Sequence, residues 1–299
     1  MENPMSDKKK KLRIKYIGFS LLFLVGLSIL LYPMISSTWN KRRADRLITE
    51  YSSSVTADTD QKETDSIWKN AQEYNEQLEQ ESVPDAFSVR DGKRDKKYES
   101  LLNFNGDGMM GSVEIPVIDE NIPLYHYTTD KTLSKGAGHL FGSSLPVGGP
   151  GTHCVISAHR GLPSAKLFTD LNLLKEGDIF YLHILDRTLA YEVDQILTVL
   201  PVQTDSLGIT PGKDYVTLVT CTPYAVNTHR LLVRGHRITI EKAGKIEKTE
   251  SRISGFHNPN PVILALCVTG GIVLAVIFVT IVDRLESRRF RRNYSNPLK

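Results

Sequence analysis

At 299 residues, with 40% hydrophobic and 24% charged positions, the chain has room for one sizeable domain plus accessory segments. Its formal net charge of +3 sits at the ends: residues 1–15 and 283–299 each hold six Lys/Arg against two acids, so the ends carry +8 and the stretch between them is −5. An acidic middle excludes a nucleic-acid-binding protein, which needs a basic face.

Taken in order, residues 1–15 form a basic tail and residues 16–35 an almost uninterrupted apolar run. About 20 such residues cross a bilayer core of about 30 Å as a helix, so this run is a membrane anchor or an uncleaved signal. Residues 36–104 hold a linker, a helix and a loop: 52–60 is polar and turn-rich, Ile67, Ala71, Tyr74 and Leu78 predict an amphipathic helix over 62–81, and 82–92 has no periodicity. From 105 to 243 the texture is β, with short runs near 113–117, 122–127, 152–158, 179–184, 189–200, 214–220 and 231–241 separated by Gly- and Asp-rich turns, the pattern of an all-β barrel. One helix is predicted inside it, over 165–174. Residues 244–260 form a second linker, 261–282 a second apolar run and 283–299 a basic tail. Lys8–Lys11 and the Arg284–Arg292 cluster put both termini in the cytoplasm and 36–260 outside, although Lys41, Arg42, Arg43 and Arg46 follow the first span closely. Of the three cysteines, Cys267 lies in the second span and Cys154 in a strand-like run, which leaves a disulfide-free outer domain with Cys221 as a free thiol.

The chemistry concentrates in the run TLVTCTPYAVNTHR, residues 217–230. A β-branched strand ends at Cys221, Thr222-Pro223 breaks it, and a second strand begins at His229, so the thiol and the Arg230 guanidinium face each other across a groove. A nearby cation favours the attacking thiolate. Arginine stays charged at physiological pH and can donate to an oxygen that becomes negative during acyl transfer. An acid/base is also needed, and His159, where a strand-like run meets the turn at Gly161, is preferred over His153, His139 and His229. Arg230 is preferred over Arg234 and Arg237 by its spacing from the cysteine, and Thr220 and His139 are further candidates for substrate-binding positions in the groove. The histidines show no His-x-x-x-His spacing and the cysteines no Cys-x-x-Cys pair, so neither a metal nor a cofactor is expected.

The TLVTC run with Arg230 nine residues on, SAHRG around His159, and HLFGSSLPVGGPGTH before it resemble the sortases, specifically the class C, pilin-polymerising type, over residues 62 to 240. The resemblance implies a mainly β fold: a closed sortase-type barrel with an N-terminal helix and a lid loop, here flanked by two transmembrane helices. It implies Cys221 as nucleophile, His159 as acid/base and Arg230 as oxyanion or substrate stabiliser. Class C lids carry an Asp-Pro-aromatic motif in which Asp pairs with the catalytic Arg and the aromatic covers the catalytic Cys; the matching positions are Asp85, Ala86 and Phe87, with the proline missing. The implied reaction cuts a Leu-Pro-x-Thr-Gly-like sorting signal of a pilin after Thr and joins it to a Lys amine of the next pilin, outside the membrane. A wall-anchoring enzyme using a peptidoglycan cross-bridge amine, and a non-enzymatic tethered binding module, are the alternatives. A water-using cysteine protease is disfavoured by the Arg where an Asn or Asp partner is expected.

Overall fold

The computed structural model describes residues 4–57, 61–78, 83–88 and 94–250, with short helical pieces at 269–272, 280–281, 284–285 and 288. The chain divides into two compact units, one of residues 1–32 with 256–299 and one of residues 33–255. Helix α1, Pro4–Ala57, begins in the first. Its apolar stretch is unburied, with Leu21, Leu22, Phe23, Leu24, Val25, Ile29 and Leu30 all exposed, and its mean hydropathy of 1.9 makes it the one helix among the described residues long and apolar enough to cross a membrane. The second predicted span, 261–282, lies largely outside the described residues.

Within the second unit, α1 continues to Ala57, through the stretch whose composition predicts a linker. Two features explain the difference. Ile48, Tyr51 and Val55 recur at helical spacing and pack on the core, Tyr51 and Val55 as buried members. The Ser and Thr residues between them return their hydroxyls to carbonyls four residues back, Ser54 to Glu50 and Thr56 to Ser52, so a polar run persists as helix. Asn40 Nδ2 donates to the Ser164 carbonyl at 2.6 Å, and Lys41 pairs with Asp119 at 2.6 Å. Tyr51 Oη donates to the Met110 carbonyl (3.0 Å) and accepts from the Leu185 N–H (3.3 Å). Tyr51→Phe leaves both backbone groups unpartnered in a buried site. We expect it to destabilise the domain by about 1–3 kcal/mol, read as a lower Tm of the full chain with peptide cleavage unchanged; an unaltered Tm would show that the helix is not anchored there.

Helix α2, Gln61–Glu76, is shorter than the predicted 62–81 and buries Thr64, Trp68, Ala71 and Asn75. The Asn75 amide exchanges two hydrogen bonds with Leu145, which docks the helix on the 139–153 segment.

Eight strands follow: β1 Met109–Ile115, β2 Glu120–His126, β3 Ala137–His139, β4 Thr152–Ser157, β5 Ile179–Ile184, β6 Arg187–Val199, β7 Asp214–Thr222 and β8 His229–Ile238. Short helices intervene or follow: α3 Lys96–Ser100, α4 Asp130–Leu133 and α5 Ile240–Glu250. The strands close into a barrel in the order β1-β2-β3-β4-β7-β8-β6-β5. Neighbours pair antiparallel except β2 with β3 and β4 with β7, which run parallel. The barrel interior is aliphatic and aromatic, with Val113, Leu124, Ile156, Phe180, Leu182, Leu218 and Val233 fully buried.

No α-helix forms over 165–174. Only a single 3₁₀ turn occurs, at Leu171–Leu173. Leu167 adopts φ +45°, and the Phe168 N–H donates back to the His159 carbonyl at 3.1 Å, so the segment folds against the loop that carries His159 instead of coiling.

Candidate active site

The β7–β8 hairpin sets the site. Its register places Cys221 directly opposite Arg230, and opposed residues of an antiparallel pair project from the same face. The strand runs one residue beyond the cysteine, to Thr222, before turning. Cys154 and Cys221 are both free thiols.

His159 reaches the same place from β4. That strand pairs with β7 in parallel as far as Ser157 opposite Val219, and the ladder extends by the Ala158 N–H to the Val219 carbonyl at 3.2 Å. Counting on along both chains sets His159 opposite Cys221. Behind it, Gly161 stands at φ +77°, and a Cβ there would lie 2.8 Å from the Tyr224 ring, so only glycine lets the two loops close on each other.

The segment 83–88 covers these groups. Asp85 and Arg230 form a two-pronged ion pair, Nε to Oδ1 at 2.7 Å and Nη2 to Oδ2 at 2.8 Å, with side chains only 11% and 12% exposed. Ser88 closes a turn on the Asp85 carbonyl with both its N–H and its hydroxyl. The Phe87 ring lies 5.8 Å from the His159 ring and 5.1 Å from the Arg230 guanidinium carbon. Ala86, where the lid motif carries proline, is buried with Val83 against Leu140, Val155, Leu207, Val219 and Leu232. The missing ring is thus offset by a small side chain seated in an apolar cluster.

Electrostatics under this cover favour the neutral forms of Cys221 and His159. Burial pushes the Cys221 thiol above its usual value; Arg230 pulls the other way and Asp85 pushes it further up. Burial lowers the His159 imidazole, opposed by Asp130. The thiol answers to burial, Arg230 and Asp85, and the imidazole to burial and Asp130. Both directions favour the neutral thiol and the neutral imidazole over a thiolate–imidazolium pair.

A charge-assisted hydrogen bond contributes about 1.5–3 kcal/mol, and 1.4 kcal/mol is about tenfold in population. The full chain carrying Asp85→Ala and Phe87→Ala should therefore be alkylated at Cys221 about tenfold faster or more at neutral pH. Its rate–pH curve should also move to lower pH, because one group that raises the thiol is gone. Equal rates in variant and parent would place control of access elsewhere.

Two predicted groove residues lie elsewhere. Thr220 and His139 are both fully buried. Thr220 is one step from Cys221 and so points to the opposite side of the strand, where its hydroxyl donates to the Ala158 carbonyl at 2.8 Å. His139 is held between Tyr98 Oη (2.7 Å) and the Ser144 carbonyl (2.8 Å), and burial lowers its pKa to about 4. Both side chains are thus buried and partnered inside the protein here, with segment 83–88 in place. His153 is likewise internal, bridging the Gly208 carbonyl and Thr217. Residues not anticipated are Asp130, whose charge raises the His159 imidazole, and the exposed apolar side chains Tyr224 and Val226 on the turn after the cysteine strand. Apolar residues in the turn-rich segment after Cys221 were the available signal.

Comparison with known proteins settles the family. Residues 113–238 match the sortase domain model. A crystal structure of sortase C from Streptococcus pneumoniae is 48% identical and superposes with a TM-score of 0.62, covering 65% of this chain and 97% of that one. The chain belongs to the sortase family. Sortase C1 from Streptococcus agalactiae is similarly close, 46% identical with a TM-score of 0.58, over 65% of this sortase and 98% of that chain. A curated relative, sortase A of Streptococcus agalactiae serotype III, is 32% identical over 149 residues, 48% of this sortase. The chain spans 58% of that relative's length. The structural neighbours thus group this sortase with class C.

Proposed function

We propose that this sortase is a cysteine transpeptidase held at the cell membrane by α1, with its barrel on the outer face and both termini cytoplasmic, and that it joins pilin subunits into a covalent fibre. The observation that carries the proposal is the opposition of Cys221 and Arg230 under an Asp85–Arg230 pair. When the lid leaves, Arg230 loses its carboxylate partner beside the thiol, and water reaches both the thiol and the imidazole. The Cys221 thiol passes its proton to His159, and the resulting thiolate attacks the Thr–Gly carbonyl of a Leu-Pro-x-Thr-Gly-like sorting signal. The freed guanidinium donates to the oxyanion of the tetrahedral intermediate. His159, now imidazolium, protonates the departing Gly amine and leaves a thioester on Cys221. A Lys amine of the next pilin, deprotonated by His159, attacks the thioester and expels the thiolate, so the product is an isopeptide bond.

Peptidoglycan cross-bridge amine as acceptor is the second possibility, favoured by the sortase A name of the curated relative. The sortase C structures at higher identity favour pilin lysine. Incubating the full chain with a sorting-signal peptide and two competing acceptors, a lysine-bearing pilin segment and a cross-bridge peptide, separates the two. Mass spectrometry should find the isopeptide to lysine. Products on the cross-bridge amine alone would make this a wall-anchoring enzyme, and no product on either would leave a binding module.

A further inference from the structure

The edge between the cysteine strand and the His159 loop is unfinished. Backbone pairing of β4 with β7 ends at Ala158 and Val219, one residue before His159 and two before Cys221. The register, carried on, sets Arg160 opposite Thr222. The Arg160 guanidinium spans the gap at that point: Nη1 donates to Thr222 Oγ1 at 2.9 Å, Nη2 to Asn172 Oδ1 at 2.7 Å and Nε to the Thr169 carbonyl at 3.1 Å. The neighbouring Gly161 N–H donates to Thr169 Oγ1 at 3.1 Å, which ties the same loop down a second time. A planar guanidinium fixes the directions of all three bonds at once, which a flexible ammonium does not.

Resting on the assignment of Cys221 and His159 above, we propose that Arg160 is a positioning residue that sets the separation of the thiol and the imidazole. It acts through Thr222 on the cysteine side and through residues 169–172 on the histidine side. It touches neither substrate nor the reacting atoms. Its effect falls on the step in which the two groups pair, because misplacement by about 1 Å can cost about 10²-fold in rate. Thr222, the residue next to the nucleophile, is the acceptor that gives the brace its purchase on β7.

The test is the pH dependence of Cys221 alkylation by iodoacetamide, followed by peptide mass spectrometry. It uses the full chain with the lid disabled by Asp85→Ala and Phe87→Ala, and adds Arg160→Ala, Arg160→Lys, Thr222→Val or His159→Ala. With His159 present, the thiol should gain reactivity on the neutral side of its profile, and His159→Ala should remove that gain. Arg160→Ala should reproduce the His159→Ala profile, Thr222→Val should move several-fold in the same direction, and the two together should be no slower than Arg160→Ala alone. Arg160→Lys, which keeps the charge and loses the fork, should fall between Arg160→Ala and the parent. In peptide cleavage, kcat should fall about 10²-fold for Arg160→Ala with KM within about twofold. If Arg160→Ala fails to fold, Thr222→Val and Arg160→Lys carry the same comparison. An alkylation profile for Arg160→Ala, or for those two variants, that coincides with the lid-disabled parent overturns the proposal, as does strict additivity with Thr222→Val. A parent that aligns its thiol as expected but cleaves no sorting peptide would overturn the transpeptidase assignment and leave the brace standing.

Discussion

Cys221→Ala is expected to abolish both cleavage of a sorting signal and formation of polymer, by at least about 10⁴-fold, while the domain stays folded. Cys154, the other thiol among the described residues, is buried, and burial pushes it well above the usual range. The fold should survive, because Cys221 stands outside the barrel's central apolar cluster and the substitution removes a single sulfur. A product gel beside a thermal melt checks both halves. Appreciable polymer from a folded Cys221→Ala chain would remove Cys221 from the mechanism.

Variants of His159 and Arg230 should fail in a different way, with the thiol retained. His159→Ala should lose about 10²–10⁴ in kcat, the usual size of general acid/base catalysis. Arg230→Ala should lose about 10²–10³, as when one oxyanion donor is removed. Arg230→Lys discriminates further. Both prongs of the pair to Asp85 come from one planar fork, so lysine would keep the charge, give up one of the two bonds and hold the lid less firmly. We expect Arg230→Lys to expose Cys221 to alkylation faster than the parent yet cleave peptide more slowly. Near-parental cleavage would mean that charge alone suffices.

The site was legible where chemistry and strand geometry are local. Arg230 stands nine positions after Cys221, a Thr-Pro turn lies between them, and a hairpin then has little choice but to bring them together; the observed register does so. Strand alternation, applied one residue further, would also have turned Thr220 away from the groove, and His139 sits in a strand whose three residues are all buried. The Asp85–Arg230 pair joins positions 145 apart, and composition made its loop an ordinary exposed connector; only the resemblance to class C lids pointed to it. Barrel closure was open to pattern, but the parallel pairing of β4 with β7, which delivers His159 to Cys221, joins strands some sixty residues apart and leaves no mark on either. Polar composition misled at 52–57, where Tyr51 and Val55 anchor a helix whose other face is Ser and Thr. The helix expected over 165–174 does not form, because a backbone bond to His159 and a left-handed Leu167 stop the coil.

The most direct measurement is the intact mass of the full chain, quenched in acid during reaction with a sorting-signal peptide. The mechanism predicts an increase equal to the peptide's acyl portion ending at Thr, located on Cys221, released by hydroxylamine and absent from Cys221→Ala. Cleavage of the peptide with no such adduct at any time, or an adduct that persists in Cys221→Ala, would contradict acyl transfer through this thiol.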